Sequence, residues 1–88
     1  MKEPQAKPTI DLEIQKIDGN IWKGKAFSVS AKNIHGEFDI LPYHANFISI
    51  LLEGPVVIRE ESGQTKKISL PRSVMHLKDN YIKIYSAI

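Results

Sequence analysis

Three histidines and a pair of closely spaced carboxylates are the side chains of this 88-residue chain with the widest chemical repertoire. With no cysteine present, His35, His44 and His76 are the potential metal ligands. Zinc needs three or four convergent ligands, usually including a short-range pair. Here the spacings are nine and thirty-two residues, with no second histidine within four positions of any of them, so they read as loop or surface histidines. Glu37 and Asp39 lie two apart, which on a strand puts them on one face, where paired carboxylates can act as acid and base. Beside a turn, such a pair more commonly meets solvent or a partner. Ser49 sits in the most apolar segment without a Gly-x-Ser-x-Gly context, so it is expected to hydrogen-bond to backbone rather than react. The five glycines are dispersed and form no phosphate loop. The residues predict no catalysis, cofactor or metal. They point instead to the stretch Gly36-Glu37-Phe38-Asp39-Ile40-Leu41-Pro42-Tyr43-His44-Ala45-Asn46 as a surface for a partner. Tyr43, a large aromatic in a proline turn with little to pack against, has the character of an interface anchor.

The elements that must position this stretch are strands. Residues 10–15 alternate apolar and polar, the period of a half-buried strand. Asp18-Gly19-Asn20 supplies a turn, and residues 22–31 resume the pattern with Phe27, Val29 and Ala31 on one face and Ser28 and Ser30 on the other. Residues 37–41 form a short extended piece halted by Pro42, which has no amide donor. Residues 47–52 are nearly all apolar and predict a strand buried on both faces, an anchor for the loop before it. Two hairpins follow, one around Ser62-Gly63 and one around Asp79-Asn80, with Ile82 and Ile84 facing opposite to Tyr81, Lys83 and Tyr85. About eight to ten short strands with regular turn signals predict an all-β, antiparallel two-sheet β-sandwich or flattened barrel.

Size and charge narrow the function further. The length allows one domain, expected over residues 9–88, after a solvated tail at residues 1–8. No run approaches 18 apolar residues, so no membrane insertion is expected. Twelve basic residues are nearly balanced by ten acidic ones, which argues against nucleic acid. Glu60-Glu61 and Lys66-Lys67 are expected to neutralise one another across the first hairpin.

At Gly36-Glu37-Phe38-Asp39-Ile40-Leu41-Pro42-Tyr43-His44-Ala45 the chain resembles the epsilon subunit of rotary F-type ATP synthases, whose loop reads Gly-Glu-hydrophobic-Gly-Ile-x-Pro-Gly-His-Ala-Pro. The resemblance spans residues 9–86, taking in Trp22-Lys23-Gly24, Glu53-Gly54-Pro55-Val56-Val57-Ile58-Arg59 (Gly and Pro in reversed order) and Asp79-Asn80-Tyr81-Ile82-Lys83-Ile84. It implies a sandwich in the central rotor stalk, at the cytoplasmic face of an energy-transducing membrane. One end would meet the c-ring and a side surface the gamma subunit, transmitting torque between them. It also implies a c-ring-facing loop with Glu37 and His44, to which Asp39 and Tyr43 belong by position.

The departures are specific. Asp39 and Tyr43 replace glycines, Asn46 replaces a proline, and Pro71-Arg72-Ser73 replaces Ser-Gly-Gly. A tyrosine at a positive-φ position costs about 1 kcal/mol or more, so the turn at Tyr43 is expected to differ locally. The family's C-terminal helical hairpin has no counterpart in the sequence, so the ATP binding and rotational braking that reside on it are not expected. The alternative is a stand-alone relative that binds another protein or ligand through the same loop.

Overall fold

Side-chain alternation turns most of the chain into strand. In the computed structural model, which describes residues 7–87, the order is β1 (Ile10–Lys16), β2 (Gly19–Asn33), β3 (Gly36–Ile40), β4 (Phe47–Leu51), β5 (Gly54–Glu60), β6 (Thr65–Leu70), β7 (Ser73–Lys78) and β8 (Tyr81–Ser86). No helix occurs among the described residues. Residues 1–6 of the expected tail lie outside them.

The strands form one hydrogen-bonded sheet in the order β4-β7-β8-β1-β2-β5-β6, with β3 also paired to β2. This corrects the purely antiparallel expectation. β1 and β8 run parallel, from Asp11 opposite Tyr81 to Gln15 opposite Tyr85. Parallel neighbours cannot be joined by a tight hairpin. These two are the first and last strands, so no local turn signal announces their pairing. The sheet curls until β4 approaches β2. There the Leu52 amide donates to the Lys32 carbonyl (2.9 Å) and the Asn33 side-chain amide to Ser49 Oγ (3.1 Å). Ser49 thus bonds to a side chain rather than to the backbone expected for it.

The enclosed face holds Ile10, Leu12 and Ile14 of β1 against Ile82 and Ile84 of β8, Met75 and Leu77 of β7, and Ile58 of β5, all essentially buried. Each such side chain contributes about 1.5–3 kcal/mol when removed from water. On β2 the expected face is broken. Pairing with β5 slips between Ala26 and Ser28, and Ala26 joins Val29 and Ala31 in the core. An extra residue inverts the alternation, so Phe27 leaves the core row and its ring lies 5.5 Å from the Lys7 ammonium. Trp22 packs against the core edge, and a Cβ at Gly24 would come within 2.9 Å of its ring. The aromatic-x-Gly spacing therefore lets the ring lie over Gly24.

Two further expectations change. β4 is buried on one face only, because Ile48 and Ile50 are 68% and 50% exposed. Across the register Ile50 stands opposite Val74 and Val74 opposite Tyr85, making an exposed apolar row over β4, β7 and β8, with Ile48, opposite His76, beside it on β4. Lys66 and Lys67 stand opposite Ile58 and Val57 rather than opposite the acidic pair, and the Glu61 amide instead donates to the Lys25 carbonyl. At Pro71-Arg72-Ser73, none of the three has positive φ, and Ser73 Oγ donates to the Pro71 carbonyl at 2.7 Å. The turn closes without glycine.

Candidate functional site

The residues singled out from the sequence fall on two elements. Glu37 and Asp39 are on β3 and exposed, with Phe38 and Ile40 between and after them turned inward. The β3 ladder sets them opposite Lys32 and Ser30 of β2. Ser30 Oγ donates to Asp39 Oδ1, and one Arg59 guanidinium nitrogen donates to both Ser28 (3.2 Å) and Ser30 (3.0 Å). Asp39 is thus coupled to Arg59 through a serine. Glu37, Asp39, Lys32 and Arg59 line an open groove of about 390 Å³ floored by Ala31, Pro55 and Val57. It carries two charges of each sign.

Tyr43 and His44 sit in the segment between β3 and β4, where no ladder exists. The His44 amide donates to the Leu41 carbonyl at 3.2 Å, with Pro42 second and Tyr43, at φ 65°, third. That is the pattern of a type II turn, whose third position ordinarily takes glycine. The expected local difference is therefore absent: Tyr43 keeps the left-handed conformation despite its Cβ.

The surroundings explain how. Asp79 and Asn80, at φ 50° and 62°, make the two-residue turn between β7 and β8, where a type I′ geometry demands positive φ twice. Asn80 Oδ1 accepts the Tyr43 amide (2.8 Å), and its Nδ2 donates to the Thr9 carbonyl (2.9 Å). In return, Asn46 Oδ1 accepts the Asp79 amide at 2.9 Å. Two asparagines thus tie the loop to the turn from both sides.

The tip remains open to solvent. Tyr43 is 75% exposed, as expected of an aromatic with little to pack against. His44 rests its ring 5.1 Å from that of Phe47, which meets Phe38 edge-on at 6.0 Å. His44 Nδ1 lies 2.8 Å from the Ala45 carbonyl, so in the neutral ring the proton is on Nδ1 and Nε2 is free to accept. His35 is in the β2–β3 turn and His76 on β7. Among the described residues no three potential ligands gather around a metal position. Asn46, Asn80 and Arg59 were not singled out as site residues. Asn80 carried a turn signal, whereas Asn46 carried none.

A family described as "ATP synthase, Delta/Epsilon chain, beta-sandwich domain" matches residues 9–87. Among curated proteins, the ATP synthase epsilon chain of Micrococcus luteus is 39% identical over 56 residues, covering 64% of this chain and 62% of that one. The epsilon chain of Streptomyces avermitilis is 27% identical, covering 90% of this chain and 64% of its own. That of Nitratiruptor is 32% identical, covering 82% and 56%. The chain therefore spans about three fifths of the length of these relatives. Among solved structures, a chain of the Euglena gracilis mitochondrial ATP synthase (OSCP/F1/c-ring) superposes with a TM-score of 0.85 at 17% identity, covering 99% of this chain and 56% of that chain. A chain of the Tetrahymena thermophila mitochondrial central stalk and c-ring gives 0.74 at 15% identity, covering 93% and 66%. At such identities the superpositions establish the fold.

Proposed function

The chain belongs to the β-sandwich family of ATP synthase delta and epsilon chains, and from that premise we propose that it is a non-catalytic part of the central rotor stalk. In this reading it joins the gamma subunit to the c-ring and couples ion flow to ATP synthesis, at the cytoplasmic face of the membrane that holds the ring. The β-sandwich named by the family is here one curled sheet of mixed strand direction.

The observation that carries the proposal is the pinned loop. It presents an exposed tyrosine and a histidine with a free ring nitrogen, at the position where the family motif falls. Rigid, polar and aromatic, such a loop suits the recognition of other polar loops. Glu37, Asp39, Tyr43 and His44 would face the c-ring, the two carboxylates from the sheet and the other two from the loop. The gamma subunit would take the exposed row Ile48, Ile50, Val74 and Tyr85, a contiguous apolar stretch of the kind that marks protein contacts.

The test is reconstitution of ATP synthase depleted of its epsilon chain. Glu37→Lys and His44→Ala should weaken ring association and Ile50→Asp should weaken gamma association, each with an unchanged unfolding midpoint. Coupled ATP synthesis fully restored by all three variants would refute the assignment. The stand-alone alternative is favoured by one feature, the tyrosine where the family has glycine. It predicts no association of the unaltered chain with either rotor component.

A further inference from the structure

We propose that Asn80 and Asn46 are positioning residues that form a clasp holding the Tyr43–His44 tip in its partner-presenting conformation. This rests on the rotor-stalk reading only for the identity of the partner.

The need for a clasp follows from the local sequence. A type II turn with tyrosine in its third place is disfavoured on its own, because a left-handed backbone brings Cβ against the following carbonyl. The loop has no strand neighbours, and its side chains from Leu41 to Asn46 are mostly exposed. Neither intrinsic preference nor apolar burial fixes it. The hydrogen bonds to the β7–β8 turn do.

Their arrangement is reciprocal. One asparagine reaches from the turn to the loop backbone (Asn80 Oδ1 to the Tyr43 amide, 2.8 Å), and the other from the loop to the turn backbone (Asn46 Oδ1 to the Asp79 amide, 2.9 Å). Asn80 is itself oriented by its Nδ2 bond to Thr9 just before β1, and its carbonyl accepts the Asp11 amide at 3.2 Å. The clasp therefore links three parts of the chain: residues 9–11, the loop and the β7–β8 turn. It fixes the backbone beneath Tyr43 while leaving the ring and His44 Nε2 outside. Preordering a contact loop lowers the entropy lost on docking and shows chiefly in affinity. Neither asparagine needs to touch the partner.

The experiment measures amide hydrogen exchange in the whole chain together with binding to a purified gamma–c-ring subassembly lacking its epsilon chain. In Asn80→Ala the Tyr43 amide should exchange about tenfold faster or more, the effect of losing one hydrogen bond. In Asn46→Ala the Asp79 amide should do so. Strand amides of β2 and β5 should be unchanged in Asn46→Ala. Asn80→Asp, which keeps the acceptor for Tyr43, should retain protection at Tyr43. Affinity for the subassembly should fall about three- to tenfold in both alanine variants and recover in Asn80→Asp.

Unchanged exchange at Tyr43 and Asp79 would overturn the clasp. So would faster exchange with intact affinity, provided that Tyr43→Ala does reduce affinity. If Tyr43→Ala and His44→Ala also leave affinity intact while exchange responds as expected, the rotor-facing role of the loop is what fails, and with it the partner-presenting part of the proposal.

Discussion

β3 and the loop after it are neighbours in sequence and both carry candidate side chains, yet different forces hold them. Glu37 and Asp39 are placed by a ladder, since pairing with β2 from Val29–Ile40 to Asn33–Gly36 determines which way each side chain points. Asp39, where the motif it resembles has glycine, is without strain, because β3 has no positive φ at that residue. Tyr43 takes the other glycine position and is strained, because the turn still requires φ 65°. One side chain sits on regular backbone, where Cβ is free. The other sits on special backbone, where tertiary hydrogen bonds must compensate.

The largest test of the contrast is at the boundary between the two regions. Ile40 is fully buried at the end of β3, and Ile40→Ala should destabilise by about 2–5 kcal/mol, loosening both regions at once. On β4, the exposed Ile48→Ala should stay within about 0.5 kcal/mol. Comparable losses in urea unfolding would show that β4 is buried on both faces after all.

Next come the side-chain bonds. Asn80→Ala removes bonds to Tyr43 and Thr9 and places alanine at φ 62°, so a loss of about 2–4 kcal/mol is expected. Ser30→Ala removes the link between Arg59 and Asp39 on the exposed sheet face and should cost about 0.5–1.5 kcal/mol. Equal effects would mean that the loop is no more dependent on single side chains than the ladder.

Restoring glycine sharpens the comparison most directly. Tyr43→Gly should raise stability by up to about 1 kcal/mol, because relief of the left-handed strain outweighs the added chain entropy. Asp39→Gly should lower it by about 0.5–1 kcal/mol or more, because β3 gains flexibility and Ser30 Oγ loses its acceptor. Effects of the same sign in thermal melts would remove the distinction.

The smallest effect is a pH dependence on the β1–β8 seam beside the turn. Tyr81 Oη donates to Glu13 Oε2 at 2.7 Å, and this bond, helped by Gln15 and by Lys23 and Lys83, holds the Glu13 carboxyl below its ordinary 4.5. A lowered folded-state value contributes stability above the unfolded value and loses it as pH falls through the folded one. The urea midpoint should therefore decline below about pH 4.5, and less steeply in Tyr81→Phe. Parallel curves would show that the bond does not matter. Amide exchange should report the acid loosening first at Tyr81 rather than along β3.

Local periodicity by itself determined the all-β class, most of the strands and the inward rows of β1 and β8, and a proline turn announced the exposure of Tyr43. Each depends on a few adjacent side chains and on a backbone that alternates. The family motif was equally legible, because a proline, a turn and their spacing survive in sequence. Only the tertiary structure decided the rest. The parallel pairing of β1 with β8 depends on segments some seventy positions apart. The bulge that turns Phe27 away from the core depends on a slip in pairing between β2 and β5. The apolar outer side of β4 is exposed because β4 has only one covered face, which its composition does not reveal. The same holds for the asparagines that fix the loop: Asn80 reads in sequence only as a turn residue and Asn46 only as the end of the loop, and neither shows its partner. Their roles arise because a curled sheet brings two turns together, and hydrogen bonds between them exist only at that distance.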